Sequence, residues 1–69
     1  MNLKKFYNTK VNNIITNTGM KFDGVVTDYF HPDENETGKE SIVIDSSNGS
    51  VIEFYEDDIK EIENFESYK

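Results

Sequence analysis

Cysteine and tryptophan are absent from the 69 residues, and histidine and proline occur once each. Without cysteine, neither a disulfide nor a thiolate-bound metal can brace the fold, and its absence fits a reducing compartment. The lone histidine, His31, has no second His or Cys with which to build a transition-metal site. Long apolar runs are missing too: nothing approaches the ~20 residues that a membrane-spanning helix needs. The start, Met1-Asn2-Leu3-Lys4-Lys5-Phe6, carries lysines with no apolar segment behind them, so no secretion signal is expected. A cytoplasmic location without membrane partners follows as the expectation. Positive charge is scarce, with 7 basic residues against 14 acidic ones and a net charge of −7. Neutralising phosphates needs a basic face, so the balance disfavours general nucleic-acid binding. There is no phosphate-binding glycine loop, and no arrangement of Ser, His and Asp that a chain this size could orient for nucleophilic attack. No catalytic residues, metal or cofactor are expected, and the chain reads as a non-enzyme.

What remains is one small domain over residues 1–69. A chain of this length buries only about 60% of its unfolded surface, so its stability is marginal. Small scaffolds without staples often associate instead. The charge is unevenly spread. Residues 1–22 hold Lys4, Lys5, Lys10 and Lys21 and no acid, whereas residues 23–69 hold all fourteen acids against Lys39, Lys60 and Lys69. Richness in Asn, Lys, Ile and Glu suggests an A·T-rich source, a bacterium or its phage.

Short alternating runs separated by turn residues point to an all-β architecture. Residues 1–8 can form one helical turn, with Leu3 and Phe6 on one side, too short to stand without packing. The strands expected are Val11 to Thr16, Met20 to Phe30, Glu40 to Asp45 and Ser50 to Tyr55. A 3₁₀ turn or short closing strand follows at Ile59 to Ile62, and residues 64–69 are expected to fray. Asn48-Gly49 is a pair favoured in tight hairpins because both residues tolerate positive φ. Gly24, inside the long second strand, marks a sharp bend where two backbones approach. Strand alternation, with i, i+3 spacing at Leu3 and Phe6 and at Ile59 and Ile62, assigns Leu3, Phe6, Val11, Ile14 or Ile15, Phe22, Val26, Ile42, Ile44, Ile52, Phe54, Ile59 and Ile62 to the core. Val25, Val43, Val51 and Tyr55 fall on the opposite faces. They form either an interaction surface or a second buried face of a strongly bent sheet.

The run Thr18-Gly19-Met20-Lys21-Phe22-Asp23-Gly24-Val25-Val26 resembles the first motif of the Sm-like superfamily. That motif has a glycine turn, a short alternating strand, a second glycine and then a hydrophobic residue. The run is particularly similar to that of the bacterial host-factor RNA chaperones. Val51 to Tyr55 with Ile59 and Ile62 resemble the second Sm motif, and a short helix before the first strand also fits. The resemblance covers residues 3–63 in outline and about nine positions closely. It implies a five-stranded, strongly bent small β-barrel with a short N-terminal helical turn, Sm-like or, since the strand order is shared, SH3-like. The family's RNA-binding residues do not transfer. Its usual aspartate falls on Phe30, its base-holding Asn has no counterpart in the His31–Gly38 loop, and its basic pair falls near the acidic Tyr55-Glu56-Asp57.

Two candidate sites dissolve on their spacing. Asp33 to Gly38 opens like a calcium loop, but Glu40 stands where an apolar residue belongs and Ile44 where the bidentate glutamate is required. Glu53, Glu56, Asp57, Asp58, Glu61 and Glu63 are dense in acid without any sign of burial. Three roles remain. The first is a non-catalytic module that binds a protein partner or a second copy of itself through Val25, Val43, Val51 and Tyr55. The second is an RNA binder that uses the basic N-terminal end, Lys4, Lys5, Lys10 and Lys21, with Tyr29 as a stacking platform. The third is an acidic mimic of nucleic acid that inhibits a nucleic-acid-binding protein.

Overall fold

A computed structural model describes residues 2–67. After a 3₁₀ turn at Lys4–Phe6 come five strands: β1 (Thr9–Thr16), β2 (Lys21–Phe30), β3 (Ser41–Ser46), β4 (Val51–Tyr55) and β5 (Ile59–Ser67). Two further 3₁₀ turns, Pro32–Glu34 and Glu56–Asp58, sit between strands. All neighbouring strands are antiparallel, in the order β4-β3-β2-β1-β5. The expected closure is absent as a hydrogen-bonded one. Among the described residues β4 and β5 share no ladder, and the sheet is open between them.

The sheet nevertheless cannot be flat. Its edges lie four strand spacings apart, about 19 Å if flat. The chain crosses from Tyr55 to Ile59 through the single turn Glu56–Asp58, a span of at most about 14 Å. The curl brings Phe54 of β4 and Ile59 of β5 into one buried cluster with Val11, Ile14, Val26, Ile42 and Ile44. Leu3 and Phe6 of the N-terminal turn join the same cluster, and Phe22, Ile52 and Ile62 pack against it. The expected inward residues are in this cluster, and of the pair Ile14 and Ile15 it is Ile14 that points inward, because the register shift after Val11 resets the alternation.

Curvature is concentrated at Gly24, which pairs with Val11 on one side and Ser46 on the other. Its φ is +156°, and a Cβ there would lie 2.3 Å from the carbonyl oxygen of Asp45. Register slips after Val11 on β1 and after Val26 on β2 add bulges, which bend and twist a strand further.

Two local expectations change. In the β3–β4 hairpin only Gly49 has positive φ, at 91°. Gly49 N–H donates to Ser46 O (2.9 Å) and Ser46 N–H to Ser50 O (2.7 Å), the pattern of an ordinary turn closed by one left-handed glycine rather than a two-residue hairpin. The β1–β2 turn repeats it, with Gly19 N–H on Thr16 O and Thr16 N–H on Met20 O, both at 2.9 Å. The closing strand does not stop at Ile62 or fray after Glu63; it runs to Ser67. The reason lies across the ladder: β1 offers an eight-residue edge, and pairing continues to Thr9 opposite Ser67. Asn64 takes a φ of 56° with the register unchanged across it, the one shift in this ladder lying between Ile15 and Thr16, and Phe65 meets the Phe6 ring edge-on at 4.7 Å. The suggested packing of Tyr68 lies outside the described residues.

Candidate interaction surface

Strand register sorts the outward side chains into rows. Glu66, Lys10, Val25, Asp45 and Val51 lie in one row across all five strands. Asp28, Val43 and Glu53 form the next, and Phe30, Ser41 and Tyr55 the third. Val25, Val43, Val51 and Tyr55 therefore share one face, with Asp45 and Glu53 set between them. Val25, Val43 and Tyr55 are half-buried, whereas Val51 is 72% exposed. Glu53 accepts a hydrogen bond from the buried Ser41 hydroxyl at 2.8 Å, so its carboxylate is held against the sheet.

The two edges differ in chemistry. An unpaired edge is a template for another strand unless charges or irregular backbone blunt it. β5 is blunted twice, by Lys60, Glu61, Glu63 and Glu66 and by the left-handed Asn64. β4, Val51-Ile52-Glu53-Phe54-Tyr55, carries one charge and a regular backbone. It is the unprotected edge.

The basic residues are not gathered. Lys4 and Lys5 are exposed on the N-terminal turn, and Lys5 Nζ lies 5.2 Å from the centroid of the Phe6 ring. Lys10 sits opposite Val25 at one end of β1, while Lys21 sits opposite Ile15 near the other. Five residues of strand separate those positions, about 17 Å. Tyr29 is half-buried and its ring is engaged from several sides. It packs against the core, its ring meets His31 edge-on at 5.1 Å, and its hydroxyl donates to Glu40 Oε1 at 2.8 Å.

That hydrogen bond belongs to a network that the sequence reading missed. Glu40 Oε1 also accepts from the Leu3 N–H at 3.1 Å, and the Glu40 N–H donates to Glu56 Oε2 at 2.9 Å. Glu40 shares strand parity with Ile42 and Ile44, so alternation alone would have placed it inward. Burial, reinforced by the Glu40 hydrogen bond and the nearby Glu40, Glu56 and Glu34 charges, pushes the Tyr29 hydroxyl up to about 12. The folded state thus holds this proton after the unfolded chain, near 10, has lost it. The Tyr29 contribution to stability is complete below pH 10 and falls as pH rises from 10 towards 12. In an alkaline absorbance titration, part of the tyrosinate signal is expected only near pH 12, and Tyr29→Phe should remove that part.

Among the described residues, no group of three or more His, Cys, Asp and Glu side chains is placed to hold a metal ion, and no helix is long and apolar enough to cross a membrane. No family model matches the chain, and neither a curated protein nor a solved structure matches it.

Proposed function

We propose that this chain is a non-catalytic binding module, a small curled barrel of the Sm-like or SH3-like kind, that works through protein contacts and self-associates at the free edge of β4. The observation that carries the reading is the contrast between the edges: β4 is short, regular and largely apolar, with Val51 72% exposed, while β5 is charged and irregular. The Gly24 bend, the N-terminal turn plugging the core and the strand order support the barrel kinship. A domain of this size gains stability by covering such an edge. Antiparallel pairing of β4 with its own copy about Glu53 would oppose two carboxylates, which is unfavourable. A head-to-tail contact, β4 of one copy against the free edge of β5 in the next, avoids this and supplies Lys60.

Protein contacts are favoured over RNA because Lys10 and Lys21 stand at opposite ends of β1 and Tyr29 is occupied by Glu40. Light scattering across a concentration series tests the reading. The mass is expected to rise above that of one chain, and Val51→Lys should return it to the monomer. The same variant should change stability by no more than about 0.5 kcal/mol, as at an exposed position. A wild-type chain that stays monomeric at high concentration would remove the basis for self-association.

A further inference from the structure

We infer that the groove between the β1–β2 turn and the Glu56–Asp58 turn binds an arginine side chain of a partner polypeptide. This site is separate from the β4 edge contact and does not depend on self-association.

The groove holds about 300 Å³ and is lined by residues 16–18 of the β1–β2 turn, Met20, Phe22, Phe54 and Asp58. That volume is at the lower limit for small-molecule sites and suits one inserted side chain better than a bulky ligand. Its floor is aromatic: the Phe22 and Phe54 rings lie 5.2 Å apart, inclined at 58°. Met20 forms an apolar lip and is 57% exposed, and a flexible thioether beside aromatic rings adapts readily to an inserted side chain.

Asp58 is the one charged residue of the lining, and among the described residues that form it none is basic. Glu56 and Asp57 stand on the same turn and deepen the negative potential. An aromatic floor beside a carboxylate whose one hydrogen-bond donor among the described residues is a backbone N–H is complementary to a cation with a flat, weakly hydrated face. A guanidinium satisfies both demands at once, stacking on a ring while its N–H groups meet the carboxylate. An ammonium is compact and strongly hydrated and uses the floor less well. A nucleotide would find a ring to stack on, but its phosphate would meet the negative charge of Asp58, with Glu56 and Asp57 on the same turn.

The walls are fixed before any ligand arrives. Asn17 bridges the two turns: its N–H donates to Asp58 O at 3.1 Å, and its side-chain amide donates to Asp57 O. Thr16 and Thr18 hydroxyls bond each other at 2.9 Å, and Thr16 Oγ1 also accepts from the Met20 N–H at 3.1 Å. Asp58 is held by the Tyr55 N–H, which donates to Oδ2 at 3.1 Å. Rigid walls reduce the ordering cost of binding.

The test is an amide NMR titration of the full chain with three blocked peptides, Gly-Arg-Leu, Gly-Lys-Leu and Gly-citrulline-Leu, and with uridine monophosphate. The arginine peptide should shift the amides of Asn17, Met20, Phe22 and Asp58 saturably, with a dissociation constant on the order of 1 mM, as for one buried side chain. The citrulline peptide, of the same shape but neutral, should bind at least about tenfold more weakly, the loss expected for one charge-assisted hydrogen bond. Asp58→Asn keeps an acceptor for the Tyr55 N–H and should abolish the preference for arginine over citrulline without altering the rest of the spectrum. Equal binding of citrulline and arginine, tighter binding of the lysine peptide, or a stronger response at these amides to uridine monophosphate would each overturn the assignment.

Discussion

Replacing Gly24 by alanine should cost more than about 3 kcal/mol and leave the chain largely unfolded at room temperature. The added methyl would stand 2.3 Å from the Asp45 carbonyl oxygen and 2.9 Å from both the Asp45 carbonyl carbon and Ser46 Cα. All three are backbone atoms of β3, so no side-chain rotation relieves the contact. The φ of +156° adds strain for any residue with a Cβ. Relief requires β3 to move away from β2, and Val26 opposite Ile44 would be drawn out of the core with it. A domain this small has little reserve. Urea unfolding followed by circular dichroism reads the effect, and a near-native midpoint would show that the bend does not depend on close approach at position 24. Gly49→Ala provides the contrast: nothing lies within 4 Å of a Cβ there, so its cost is confined to the positive φ, on the order of 1 kcal/mol.

Glu40→Ala should be nearly as damaging, at about 2–4 kcal/mol, although it removes a charged residue from an acidic protein. Glu40 is only 8% exposed, and its Oε1 serves both the Leu3 N–H and the Tyr29 hydroxyl. Leu3 is fully buried, so its N–H has no water to turn to, and a buried donor stripped of its partner costs about 1–3 kcal/mol. The loss spreads from there. Leu3 anchors the turn that inserts Phe6 into the core, and Phe6 in turn supports Phe65 near the end of β5. Hydrogen exchange should therefore speed up at the Leu3 and Phe6 amides and along the distal half of β5 before the rest of the sheet. Glu40→Gln retains the oxygen acceptor and should cost about 1 kcal/mol. If alanine and glutamine proved equal, the stability would lie in the charge rather than in the two hydrogen bonds. Under the proposed mechanism neither variant touches the exposed Val51, which lets stability and association be read separately.

These expectations rest on features of unequal visibility in the amino-acid sequence. Most of the inward set could be read from the alternation of Ile42 and Ile44 on β3 and of Ile52 and Phe54 on β4, although Val43, Val51 and Tyr55 left the opposite face apolar as well. The same period would have placed Glu40, two residues before Ile42, on the inward side had parity been given precedence over charge. Tyr29 is the opposite case. Its place on a strand was evident, but the partner of its hydroxyl is eleven positions away and is set by the β2–β3 register. The groove was equally hidden: Asn17, Phe22, Phe54 and Asp58 span 42 positions and meet only because two turns at one end of the sheet are bridged.

The linear chain determined the strands, their inward faces and the bend, because these follow from side-chain period and from glycine's missing Cβ, both local properties. Tertiary structure decided the length of β5, the open seam beside β4 and the burial of Glu40. Each of those depends on what the pairing partner offers: a long β1 edge for β5, no neighbour for β4, and for Glu40 an N-terminal turn whose backbone must find an acceptor once it is sealed from water.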